Sequence, residues 1–421
     1  MSLPELARAC LLLLACAGAA RAQVEGGGKP SDGPPAGDAP GKGLEQIGYG
    51  GEPPQPGPGK KPAVAGATWS QQSPVGDAGT DITPESVAAV DRALAWLEST
   101  QNADGSWTAD VGFKLNQAYE VTAEEQHHVG VTALAGLAFL SAGNLPGRGR
   151  YGNTIGRATD FVLDCVNEEG FIAAHDTRMY SHAFATLFLA EVYGMTDRAD
   201  VRDKLQSSVD YIVACQNQEG AWRYMPFAVE SDMSITVCQL NALRGARNVG
   251  IRVPRSTIDR AAAYVARSYV HEDEDGYGYG FGDNYYRLGK GSFKYQVNKS
   301  TRSSFALTAA GIAALHNTGN YGTTLQSTAA DRKLASTIDL DASIDFLLDH
   351  YDLVSGNSPY TFHYFYWYGH YYATQALYVI GGKAWTWYYP RMREELVRGQ
   401  LAGGAWPCTA GPGQSFSTAV G

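Results

Sequence analysis

Charge is what this sequence has least of. Charged residues fill 18% of its 421 positions, against about 25% in an average globular chain. Acidic residues outnumber basic ones 43 to 33, so there is no net positive field to draw nucleic acid or an anionic membrane. Beyond residue 22 no run of 18 apolar residues occurs, which predicts no membrane-spanning helix. Glycine never recurs at every third position, which excludes collagen. No CxxC pair is present, so a structural zinc site has no ligand framework.

Glycine and proline are plentiful but unevenly placed. Residues 23–80 hold 15 of the 49 glycines and 10 of the 19 prolines. A segment so poor in large apolar residues does not offset the entropy of ordering itself, and reads as a disordered tether. Before it, MSLPELARACLLLLACAGAARA has Arg8 as the one basic residue ahead of an apolar run from Ala9 to Ala20, and small residues at Ala20 and Ala22. That pattern is an export signal with cleavage after Ala22. Leu13-Leu14-Ala15-Cys16 offers the alternative of a lipid-bearing Cys16. The chain is thus expected to be exported. Cys165, Cys215, Cys238 and Cys408 remain, expected as small buried hydrophobes on helices, with disulfides open.

The rest, residues 81–421, is repetitive. Leu97-x3-Gln101-x3-Gly105-x-Trp107, Ile212-x3-Gln216-x3-Gly220-x-Trp222 and Leu396-x3-Gln400-x3-Gly404-x-Trp406 have one spacing. A decayed copy spans Phe161–Phe171, with Val166 in place of glutamine. Weaker ones begin near Tyr264 (YVARSYVHEDEDG) and Phe346 (FLLDHYDLVSG). Each copy reads as a helix ended by a glycine with positive φ, the tryptophan folding back over the turn. A second, Ala-rich helix follows, marked by His128-x3-Thr132, His182-x3-Thr186, Asp232-x3-Thr236, Ser304-x3-Thr308, His370-x3-Thr374 and Gln414-x3-Thr418. Six helix pairs, twelve helices in all, are predicted, with amphipathic first helices outside and apolar second helices inside.

On these motifs the chain resembles the terpenoid-cyclase and protein-prenyltransferase superfamily, over about residues 85–421. The Gln-Gly-Trp copies are similar to the QW motif of squalene cyclases. YYATQALYVIGGKAW (371–385) and MREELVRGQ (392–400) resemble exported bacterial prenyltransferase/squalene-oxidase repeat proteins. The resemblance implies an all-α (α/α)6 toroid. The sequence stops a few residues into the sixth inner helix, which is therefore expected to be truncated.

The chemistries implied by the resemblance find few of their residues. Where a cyclase carries Asp-x-Asp-Asp the sequence reads Ser231-Asp232-Met233-Ser234, leaving Asp232 as the sole catalytic candidate. Asp273 and Asp275 fall at a predicted turn. The zinc set of a prenyltransferase lacks its Asp-x-Cys pair, and His370 alone lies near the expected histidine. The Cys-Gly-Glu-Gln of thioester domains is absent.

What remains is a ring of equivalent positions, His128, His182, Asp232, Ser304, His370 and Gln414, expected at the N-terminal rim of the inner helices. They read as helix caps, as a site for an anionic or polar ligand at helix N-termini, or as divalent-metal ligands through His128, His182 and His370. No other cofactor is implied. Tyr366 and Tyr368, within the aromatic run 364–372, together with Tyr277, Tyr279, Phe281, Tyr285 and Tyr286, are expected near the same rim, where aromatic faces hold isoprenoids or sugars. Residues 276–300 read as a flap or a plain loop. The leading expectation is an exported toroid binding an elongated lipid-like or glycan ligand without the usual catalytic motifs. A diverged isoprenoid transferase or cyclase and a cell-surface interaction module are the alternatives.

Overall fold

The computed structural model describes residues 82–115, 118–273, 288–299, 303–317 and 337–421. The export-signal run, the tether and the aromatic residues Tyr277–Tyr286 lie outside the described residues.

Helix α1 (Pro84–Thr100) begins at a capping box, in which the Thr83 hydroxyl accepts from the Ser86 amide and the Ser86 hydroxyl accepts from the Thr83 amide. A two-stranded antiparallel hairpin follows, β1 (Thr108–Leu115) and β2 (Ala118–His127). Then come α2 (Val129–Ser141), α3 (Gly152–Asp164), α4 (Met179–Tyr193), α5 (Ala199–Ala214), α6 (Met233–Asn248) and α7 (Arg255–Arg267). The chain closes with α8 (Phe305–Asn317), α9 (Leu340–His350), α10 (Tyr364–Ile380), α11 (Gly382–Gly399) and α12 (Gln414–Val420).

The even-numbered helices form a ring. Each packs on the next, from α2 through α4, α6, α8 and α10 to α12, and α12 packs back on α2. The odd-numbered helices lie outside, each against its own partner and most against the neighbouring inner helix as well, and α11 meets α1 at the seam. The fold is an all-α toroid of helix hairpins. Sequence explains the layering. Helix α2, VGVTALAGLAFLS, has no charged residue and buries both faces, whereas α5, ADVRDKLQSSVDYIVA, is amphipathic and buries Val201, Leu205, Val209 and Ile212 along one stripe. The four cysteines are free thiols. No described helix is long and apolar enough to cross a membrane.

The glycine turns hold the two layers together. Gln101 donates from Nε2 to the Gly105 carbonyl and to Thr154 of α3, both at 2.9 Å. Gln216 does the same to Gly220 and to Thr257 of α7. Gln400 joins Gly404 to Ala89 of α1, both at 2.8 Å, and so ties the last turn to the first helix. Each tryptophan indole donates back to the helix just ended, at Leu97, Ile212 and Leu396. Each tryptophan amide donates to a threonine of the following inner helix, Thr132, Thr236 or Thr418. The repeated threonine is thus the acceptor for a buried amide. Thr132→Val, which keeps the shape and removes that acceptor, is expected to cost about 1–3 kcal/mol, read as a shift of the urea midpoint. An unchanged midpoint overturns this role.

The structure departs from the expectations in two places. The fourth turn is built on a glycine beyond HEDEDG. Gly291, with φ +87°, lies against the backbone of Ala342 and Ser343 as α9 begins, and Phe293 takes the place of the tryptophan. The β1–β2 hairpin stands where only a helix-to-helix turn is expected.

Candidate functional site

The inner helices begin at one rim, and a cavity of about 220 Å³ opens there. Its wall is aromatic, with Tyr180 and Phe184 from α4, Tyr368 and Tyr371 from α10, and Tyr224 and Tyr295 from the loops. The hairpin lies across the mouth and contributes Val111, Phe113 and Lys114. Several contacts hold it there. The Asp110 amide donates to Pro412 at 2.8 Å. The Arg178 guanidinium, at the N-cap of α4, stands 5.2 Å from the Phe113 ring. Lys114 Nζ stands 4.6 Å from the Phe365 ring and 5.2 Å from that of Tyr295.

The tyrosine hydroxyls are turned to protein. Tyr180 donates to Ser234 Oγ at 2.7 Å, and Ser234 Oγ donates to Asp232 Oδ1 at 2.6 Å. Tyr368 donates to the Ser234 carbonyl at 3.1 Å. Tyr224 and Tyr295 bond each other. Burial drives the phenols of Tyr180, Tyr224 and Tyr368 well above their ordinary range, so they stay neutral. These tyrosines therefore present ring faces rather than free hydroxyls to the cavity, and Lys114, Arg178, His128 and Ser181 are polar members of its lining.

The ring of equivalent positions does not converge on one point. His128, Asp232 and Ser304 cap their helices. His128 Nδ1 accepts from the Val131 amide at 3.2 Å, Asp232 Oδ1 from Ile235 at 3.0 Å and Ser304 Oγ from Leu307 at 3.2 Å. Of the three, His128 and Ser304 line the cavity. Asp232 is fully buried beneath it, with Arg223 Nη1 3.5 Å from its Oδ2. Desolvation raises its pKa, against the Ser234 and Ile235 hydrogen bonds and the Arg223 charge. Between this carboxyl and the cavity stand Ser234 and Tyr180.

His182 lies one turn inside α4 and faces outward. Its Nδ1 accepts from the Ile172 amide at 3.1 Å, and its ring packs on Phe171 and Tyr211. His370 lies deeper still in α10, whose N-cap is His363. Its ring nitrogens meet Ser355 Oγ at 2.8 Å and Tyr388 Oη at 2.9 Å. Burial lowers the pKa of His128 to about 4 and those of His182 and His370 to about 3. The three histidines are neutral and apart. Among the described residues no three His, Cys, Asp or Glu side chains form a group that holds a metal. Gln414 is exposed at the first position of α12. Tyr366 is buried and faces a second cavity, whereas Tyr368 faces the first.

That second cavity, about 470 Å³, lies at the seam between α1, α2, α10 and α11. Leu134, Trp367, Tyr371 and Val420 line both cavities and so divide them.

No protein-family model matches the chain, and no curated protein does. Solved structures with a similar course include an alpha-amylase from Clostridium perfringens (9% identity, 79% of this chain and 95% of that one, TM-score 0.49). A cellobiose 2-epimerase from Spirochaeta thermophila aligns over 80% of this chain and 93% of its own, at 13% identity and TM-score 0.49. A type II terpene cyclase from Scytonema aligns over 63% and 80%, at 17% identity and TM-score 0.28. At such identities and scores none of them bears on what this chain binds.

Proposed function

We propose that the rim cavity binds an elongated apolar molecule of lipid or isoprenoid type, and that the β1–β2 hairpin covers it. One observation carries the reading. The hydroxyls of Tyr180, Tyr224, Tyr295 and Tyr368 are spent on protein partners, so the wall offers apolar ring faces. A glycan needs free donors and acceptors, and leaving them unmet costs about 1–3 kcal/mol each; this favours the lipid alternative. The cavity volume lies below the usual range of about 300–1,000 Å³ for ligand sites. A long ligand therefore has to lift the hairpin. Export by residues 1–22 and tethering by residues 23–80 belong to the same proposal and rest on the sequence pattern alone.

The cyclase or transferase alternative has less support. Asp232 reaches the cavity through Ser234 and Tyr180, and the charged groups that act on it among the described residues are the cations Arg223 and Lys114.

Thermal melting with farnesol, geranylgeraniol and cellobiose tests the proposal. A ligand at a hundred times its Kd adds about 2.7 kcal/mol, a rise of several degrees in Tm. Farnesol or geranylgeraniol should give that rise and cellobiose none. Ala306→Trp, which fills the cavity from α8, should abolish it. Stabilisation by cellobiose alone, or an isoprenoid effect that survives Ala306→Trp, would overturn the reading.

A further inference from the structure

The seam cavity holds one group that the rim site does not use. Its walls are apolar, with Ala89 and Ala93 from α1, Leu134 and Leu137 from α2 and Met392 from α11. Into these walls α4 brings Glu191, in its last turn. Glu191 makes no hydrogen bond or ion pair among the described residues. A carboxylate at a helix C-terminus faces the negative end of the dipole and lacks the compensation a cation would find there. Burial alone pushes its pKa up to about 7.

Among the described residues the surroundings hold no counter-ion. On α6, the neighbour is Gly245, where even a Cβ would stand 3.9 Å from Glu191 Oε1. The adjoining Arg244 donates to the His316 carbonyl at 3.2 Å. Helix α2 has no charged residue. From α10 come Tyr371, whose ionisation Glu191 opposes, and His370, which stays neutral between Ser355 and Tyr388. The cavity's own cation, Arg393 of α11, stands 3.6 Å from Glu394 and over the Tyr389 ring.

We propose that the seam cavity is a second binding site, for an amine on an apolar body, whose ammonium pairs with Glu191 beside the Tyr371 ring. The apolar body occupies the Ala- and Leu-lined wall. The ammonium supplies the positive charge that the carboxylate, the helix C-terminus and the aromatic ring all favour. The proposal is independent of the rim site, because the two cavities share only their dividing residues.

Isothermal titration with decylamine and decanol at about pH 8.5, where Glu191 is ionised and the amine protonated, tests it. The parent protein should bind decylamine at least about tenfold more tightly than decanol. E191Q should bring decylamine down to the decanol level and leave decanol unchanged. Leu137→Trp, which fills the same cavity, should remove binding of both, and serves if E191Q does not fold. Ala306→Trp, which fills the rim cavity, should leave decylamine binding intact. Equal affinities in the parent, no binding of either probe, a preference that survives E191Q, or loss of decylamine binding in Ala306→Trp would each overturn the proposal. The farnesol melts with Ala306→Trp report on the rim site separately.

Discussion

Gly404→Ala is expected to destabilise the protein by about 2–4 kcal/mol, while Gly403→Ala, one residue away, leaves it nearly unchanged. Gly404 has φ +97°, and a Cβ there would lie 2.5 Å from the Arg92 carbonyl oxygen and 2.9 Å from its carbon. Both atoms belong to the backbone of α1, so no side-chain rotation relieves the clash. Gly403 has an ordinary φ, and its Cβ would meet only Trp96 Cδ1 at 3.8 Å.

The place of this contact in the fold makes the effect large. Gly404 belongs to the last turn and Arg92 to the first helix, so the contact closes the ring. It stands beside the Gln400–Ala89 bond and the Arg92–Gln400 bond of 3.0 Å. Pushing the turn off α1 breaks all three together. Urea midpoints measure the energy, and amide exchange locates it. Faster exchange confined to α1 and α12 is the expected pattern. Equal midpoints for Gly403→Ala and Gly404→Ala would show that the seam is held elsewhere.

This seam is legible in the sequence because its residues have narrow requirements. A glutamine, a glycine and a tryptophan at fixed spacing satisfy a turn that needs a positive φ, a close backbone approach and a cover. Where the same turn is built from other parts, the pattern fails. The fourth turn places Gly291 and Phe293 after an insertion, so spacing from Tyr264 points to the wrong glycine. The hairpin carries a weaker signal. Val111 and Phe113 alternate with polar neighbours, as do Tyr119 and Val121, but charges on both strands obscure the period of two.

The rim position fails for a different reason. His128, His182 and His370 share a sequence offset from a threonine, but α4 and α10 start earlier relative to that offset than α2 does. His182 and His370 therefore sit inside their helices, among outer-layer aromatics, instead of at the mouth. Thr132, Thr236 and Thr418, not the residues four before them, are the positions with one geometry. The tyrosine network is not legible at all. Ser234 meets Tyr180 and Tyr368 across 54 and 134 residues, and only the closed ring brings those partners together.

The second large effect is on pH dependence, and two sets of buried groups oppose each other in it. His182 and His370 have pKa values lowered from 6.5 to about 3, both through burial. Below 6.5 the unfolded chain takes up protons that the native chain refuses. Their contribution is complete above pH 6.5 and is lost as pH falls towards about 3. Glu191 and Glu395 are raised from 4.5 to about 7, chiefly by burial. The native chain holds protons that the unfolded chain releases, so their contribution is complete below 4.5 and is lost as pH rises towards 7. Between about pH 4.5 and 6.5 the slopes have opposite signs, so the parent curve is shallower than either set alone would make it, and His128, lowered to about 4, adds to the histidine side.

Single substitutions remove one side of that balance. Gln at position 182 keeps an acceptor for the Ile172 amide without a titrating ring. Relative to the parent, His182→Gln should gain about 2 kcal/mol on going from pH 7 to pH 5. Glu395→Gln keeps an acceptor for the Gly356 amide, bonded at 3.1 Å. It should change in the other sense, losing about 2 kcal/mol relative to the parent over the same interval. Urea unfolding at the two pH values measures both. If either difference from the parent stays constant between pH 5 and pH 7, that group titrates alike in the folded and unfolded chains, and its burial has no part in the balance.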